Sequence, residues 1–139
     1  LDFARENGIL HAGFCPAGRR AEDGPIPLNY RLLELDTDDY ATRTELNILC
    51  SDATVLVYAQ PLNGGSALTL SLCSSLNRPC LEIPFGTSSI EAAEALRKFI
   101  WSRNVRVLNV AGNRESKCPG IYAFTFSMLD RAHASDQPA

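Results

Sequence analysis

The chain has 139 residues, 45% hydrophobic and 21% charged, with a net charge of −3, the balance of one soluble globular domain with a real core. No apolar run nears the ~20 residues of a membrane span, no signal-peptide pattern is present, and the acidic balance gives no support to nucleic-acid binding by bulk electrostatics. The five cysteines (Cys15, Cys50, Cys73, Cys80, Cys118) lack CxxC or cysteine–histidine spacing, so they read as reduced thiols in a cytoplasmic chain without a metal site.

In chain order, Leu1–Gly8 reads as the end of a helix closed by Gly8, and an upstream strand and loop are expected to be missing before it. Ile9–Cys15 is a short strand interrupted by Gly13. Residues 16–27 form a long loop dense in Gly, Pro and charge, and loops of that length are often functional. Its adjacent Arg19 and Arg20 suit an anion, with solvated surface charge as the bland alternative. Tyr30–Leu35 is a second short strand, placed at an edge; Thr37, Asp38 and Asp39 offer N-caps for a helix over Tyr40–Cys50.

Residues 54–59 are a continuous, β-branched apolar run, as for a strand covered on both faces. A Gln60–Ser66 loop and a helix from Ala67 to Leu76 follow. Gly64 and Gly65 let backbone approach a ligand, and Ser66 is placed to cap the helix. Pro79–Pro84 is a strand near an edge. Ser88 or Ser89 caps an amphipathic helix carrying Ala92, Ala93, Leu96, Phe99 and Ile100, with Trp101 anchoring its end in the core or at a subunit contact. Val105–Ala111 is the last strand, and Pro119–Ala132 the last helix, with Ile121, Phe124 and Met128 as its apolar stripe. The tail 134–139 is expected to fray.

The block Asn109–Ile121 is the most informative. A strand ends at Gly112, polar and cationic residues (Arg114, Glu115, Ser116, Lys117) follow, and a helix opens at Pro119, leaving free N–H groups at the positive end of its dipole. Strands alternating with helices predict an α/β fold: Rossmann-like, doubly wound, a mostly parallel sheet with helices on both faces. In such sheets ligands bind beyond the strands' carboxyl ends, at a topological switch point. The loops 16–27, 60–66 and 112–120 each follow a strand, so they are expected to share one rim and to form a pocket for an anionic, phosphorylated ligand. The candidate ligand-binding residues are Gly18, Arg19, Arg20, Asp23, Asn63, Gly64, Gly65, Ser66, Thr69, Gly112, Arg114, Glu115 and Ser116.

No nucleophile elbow, zinc-binding helix or phosphate-loop lysine pattern appears. His11 is expected to be packed in a strand and His133 to lie in the tail, so no catalytic residue is assigned. The Gly64–Ser71 stretch holds no acid for glycosidic chemistry; only Asp23, Glu45 or Glu115 could supply one.

Several blocks in order resemble the molybdenum carrier protein family, part of the Rossmann-like SLOG superfamily with the LOG-type proteins. They are residues 13–27, 40–47, 51–54, 64–69 and 109–121. The resemblance implies a cytosolic homo-oligomer that binds molybdenum cofactor (a phosphorylated pterin with dithiolene-held molybdenum) or molybdate without turning it over, with no nucleic-acid or membrane partner. That family opens with a strand and a Gly-Gly-Gln-Thr-Gly loop contributing to the pocket, a segment this sequence lacks. The LOG branch implies the alternative, a nucleotide-binding or nucleotide-hydrolysing phosphoribohydrolase. Pterin and nucleotide both present a phosphate and a flat heterocycle, so the residues leave that choice open.

Overall fold

The computed structural model describes residues 1–134. Its elements are α1 (Asp2–Glu6), β1 (Phe14–Cys15), a short 3-10 turn (Ala17–Arg19), β2 (Arg20–Ala21), β3 (Gly24–Pro25), β4 (Leu33–Glu34), α2 (Tyr40–Leu49), β5 (Ala53–Tyr58), α3 (Gly64–Ser75), β6 (Cys80–Pro84), α4 (Ser89–Arg103), β7 (Leu108–Gly112) and α5 (Ile121–Ala134). The fold is α/β, with parallel strands flanked by helices.

The main sheet is three-stranded and parallel in the order β6-β5-β7. β5 is central because Ala53–Val57 are buried without interruption, as befits a strand covered on both faces. Successive side chains alternate between faces. Val55 and Val57 join Ile83, Ala92, Leu96, Ile121 and Met128 in the core under α4 and α5. Thr54 and Leu56, also fully buried, face the other way, toward α3, which packs with α2. Burial of one such aliphatic side chain stabilises by roughly 1.5–3 kcal/mol. The chain leaves β5 through α3 to β6, then returns through α4 to β7 on the opposite side of β5. Right-handed crossovers in opposite directions put α3 and α4 on opposite faces and place a switch point between the carboxyl ends of β5 and β7.

Some elements differ from expectation. β1 and β4 are two-residue strands forming a separate parallel pair. They are short because a side chain completes the ladder: Asn47 of α2 accepts from the Phe14 N–H (2.9 Å) and donates to the Phe14 carbonyl (3.3 Å). β7 begins at Leu108 rather than Val105 because the Asp52 carboxylate takes the N–H groups of Arg106 and Val107, each at 2.8 Å. Within the loop 16–27, β2 and β3 form a short antiparallel hairpin. Trp101 is 77% exposed, so it does not anchor α4 in the core. His133 lies in α5 with its ring against Phe3, not in a tail, because α5 runs on to Ala134; residues 135–139 fall outside the described residues. His11 precedes β1 and accepts from the Arg31 N–H.

Candidate functional site

The expected rim forms, held by specific bonds. Gly112 sits opposite Val57 in the β5–β7 ladder, and a Cβ there would meet the Val57 carbonyl oxygen at 2.6 Å. Only glycine permits that approach. Directly after it, Asn113 donates its N–H to Val57 (3.3 Å) and accepts from the Ala59 N–H (2.9 Å), so the loop after β7 is fastened to the chain leading from β5 into α3. On its other side, Ser116 donates through its hydroxyl (2.6 Å) and its N–H (3.3 Å) to Glu22 at the tip of the β2–β3 hairpin. That bond, aided by Arg114, holds the Glu22 carboxyl below its usual range. Glu22, Asp23, Gly112, Asn113, Glu115 and Tyr122 line a cleft of about 710 Å³ between hairpin, β7 and α5.

Within this frame the candidate residues divide by what already occupies their polar groups. Arg19 does not present its guanidinium to the rim, a correction to the expectation. Its Nε donates to the Ile26 carbonyl (2.8 Å), and its terminal nitrogens to Leu32, Pro27 and Tyr30. The residue's positive φ of 51° turns it inward as the strut of the loop. Gly18 gives its N–H to Glu34 (2.6 Å). Arg20 donates to the Ala17 carbonyl and pairs with Asp38 at 3.1 Å, both side chains more than half exposed. Thr69 turns back to the Gly65 carbonyl (2.9 Å).

The α5 N-terminus, one of two helix starts the sequence offered to an anion, is already filled. Glu115 accepts from the N–H groups of Gly120 (2.7 Å) and Tyr122 (3.0 Å), and these bonds depress its carboxyl. The chain's own carboxylate takes the place an external anion would have. α2 is closed likewise by Asp39, which accepts from the Ala41 and Thr42 N–H groups and the Thr42 hydroxyl, lowering its own pKa.

α3 is built differently. It begins at Gly64, three residues earlier than expected, with the Ala67 N–H closing its first turn onto Asn63 (3.2 Å). Gly64, Gly65 and Ser66 are therefore the first turn itself, and Ser66 does not cap it. The N-cap Asn63 makes no side-chain cap bond. The Ser66 hydroxyl is buried, the residue 3% exposed, and its oxygen has no hydrogen-bond partner among the described residues. A Cβ on Gly64 or Gly65 would meet nothing within 4 Å, so space lies over this turn. α4 also lacks a side-chain cap at Ser88, but it follows β6, on the far side of β5 from the loop after β7.

Two residues that sequence reasoning left outside the site, Tyr40 and Arg43, complete the rim. Arg43 and the candidate Arg114 both lie over the ring of Tyr40, at 5.4 and 5.5 Å from its centroid. Tyr40 and Arg43 are three apart in the first turn of α2, a spacing that places side chains together on a helix and that could have flagged the pair. Tyr30 and Tyr122, by contrast, are spent: both hydroxyls donate to Asp2, tying α1 to β4's approach and to α5. Those bonds lower the Asp2 carboxyl and push Tyr122 up to about 12. Among the described residues no cluster of metal-ligating side chains is present, and no helix is long and apolar enough to cross a membrane.

A solved structure from Syntrophus aciditrophicus SB, "Putative molybdenum carrier protein", is similar to this chain at 41% identity with a TM-score of 0.91, over 95% of this chain and 84% of that one. No curated protein matches. The family described as the circularly permutated YpsA SLOG family matches residues 1–133. With the doubly wound fold and the glycine turns at its switch point, the chain belongs to that family.

Proposed function

We propose that this protein binds and carries a molybdenum-containing ligand, either molybdenum cofactor, whose phosphate would sit on the first turn of α3, or molybdate in the same place. The observation that carries this reading is the one rim helix at the switch point left without a cap. Its N–H groups stand at the positive end of a dipole, open space lies over its glycines, and the buried Ser66 hydroxyl has no partner. A buried polar group without a hydrogen bond costs roughly 1–3 kcal/mol, a cost a ligand oxygen removes. The name of the Syntrophus protein gives the ligand its class.

We read the ligand as held rather than converted, with Glu115 capping α5 and Glu22 fastening the hairpin to Ser116, which engages two of the carboxylates that line the cleft. Asp23, Gly112, Asn113 and Glu115 line the cleft beside the rim, which would receive the flat heterocycle. A cytoplasmic homo-oligomer is part of the proposal, with the exposed Trp101 on α4 as a contact that light scattering on Trp101→Ala would test. For the ligand, purified protein is incubated with molybdenum cofactor or with molybdate, desalted and analysed for metal. Near-stoichiometric molybdenum that falls on Ser66→Ala, with the fold intact, is expected. Molybdenum at background in both incubations, with retention of a nucleoside phosphate instead, would replace this reading with a nucleotide-binding one.

A further inference from the structure

Arg43 is the least explained side chain in the molecule. Its Nε is buried with no hydrogen-bond partner among the described residues. Another cation, Arg114, acts on it, and the two share one aromatic ring, Tyr40. Burial and the repulsion of Arg114 both work against its charge. A protein seldom buries a guanidinium donor without an acceptor, because the lost hydration is not returned. The nearby carboxylates do not supply one: Asp39 is bound to the α2 amides and Thr42, and Glu22, close enough to influence Arg114, is bound to Ser116. The Tyr40 face attracts both cations and holds them in register at the rim. Among the described residues, none there accepts from the buried Arg43 Nε.

We infer that Arg43, Arg114 and Tyr40 form an oxyanion subsite distinct from the first turn of α3, one that takes a doubly charged tetrahedral oxyanion between its two guanidiniums. Guanidinium forks match such oxygens with parallel N–H bonds, and one dianion answers both the orphaned donor and the mutual repulsion. The inference deepens the carrier reading and rests on it for the ligand's identity, though not for its chemistry. The same tetrahedral chemistry is offered by a phosphate ester and by molybdate. If the phosphate of a cofactor sits on α3, the Arg43–Arg114 pair takes a second oxyanion, such as the oxygens on its metal.

The test titrates wild type, Arg43→Met and Lys98→Met with orthophosphate and separately with molybdate, at low salt, by calorimetry, with thermal melts of each apo protein. Wild type is expected to bind at least one of the two anions. Arg43→Met should weaken that binding tenfold or more while melting no lower than wild type, since it removes a buried unpaired cation. Lys98→Met, which removes an exposed cation from α4, should change this binding less than threefold. Should Arg43→Met fail to fold, the exposed Arg114→Met carries the same expectation. Which anion binds distinguishes a phosphate subsite from a molybdate one. Wild-type titrations flat for both anions, or an Arg43→Met or Arg114→Met affinity within twofold of wild type, would overturn the subsite. Either result would leave open whether molybdenum cofactor is carried on α3, which the metal analysis decides separately.

Discussion

The first turns of α5 and α3 stand on neighbouring loops of one rim, and the chain treats them in opposite ways. At α5, Glu115 reaches back and satisfies two amides. At α3, two glycines open the approach, Asn63 offers no side-chain bond, and a buried serine hydroxyl is left unpartnered. The dipoles of the two helices are alike. What separates them is whether the protein has already spent the donors. A helix N-terminus is open to an anion only where the chain's own side chains leave its amides free, and of these two that is α3.

The same division holds between the glycines, and the largest predicted effect tests it. Gly112 is glycine for the fold: Gly112→Val drives side-chain atoms onto the Val57 carbonyl and should cost about 1–3 kcal/mol or more, read as a lowered urea midpoint. On the proposed reading, Gly65 is glycine for the ligand. Gly65→Ala meets no atom within 4 Å and lies inside α3, so it should stabilise the fold by about 0.5–1 kcal/mol while weakening ligand retention. If Gly65→Ala both stabilised and bound normally, the contrast would fail.

Capping itself can be probed by pH. Folding depresses the Glu115 pKa through its two amide bonds. Its contribution is therefore complete above the ordinary carboxylate range and fades as pH falls through the depressed value. Glu115→Ala should melt below wild type at neutral pH, and the two curves should converge in acid. A constant gap across that range would mean the carboxylate is not the cap. The smallest effect lies in the alkaline limb. Tyr122 is raised to about 12 by its bond to Asp2, so the stability that bond gives is complete below the ordinary tyrosine pKa and is lost as pH rises through the folded one. Phenolate absorbance should show a late-titrating tyrosine that Tyr122→Phe removes.

The main sheet was legible because β5 is buried along nearly its whole length and its apolar run is unbroken. The helices were legible by spacing, with boundaries moved by a few residues. The second strand pair was overextended because the Asn47 amide replaces a strand in the ladder, a substitution that no local pattern announces. Arg19 was misread for a related reason. In sequence it is one of two adjacent arginines, and only the folded loop shows four carbonyls around it. Arg43 lay hidden by the reverse effect, an ordinary helical arginine until Tyr40 and Arg114 are seen beside it. Loop convergence could be anticipated from topology, but the allocation of individual donors could not, because it depends on side chains far apart in the chain.

The most direct test of that allocation is an amide chemical-shift titration of the protein with the phosphorylated pterin of molybdenum cofactor. The N–H signals of Gly64, Gly65 and Ser66 should move most and saturate together, while those of Gly120 and Tyr122 stay with their Glu115 cap. Large shifts at Gly120 and Tyr122 with a silent α3 would contradict the account.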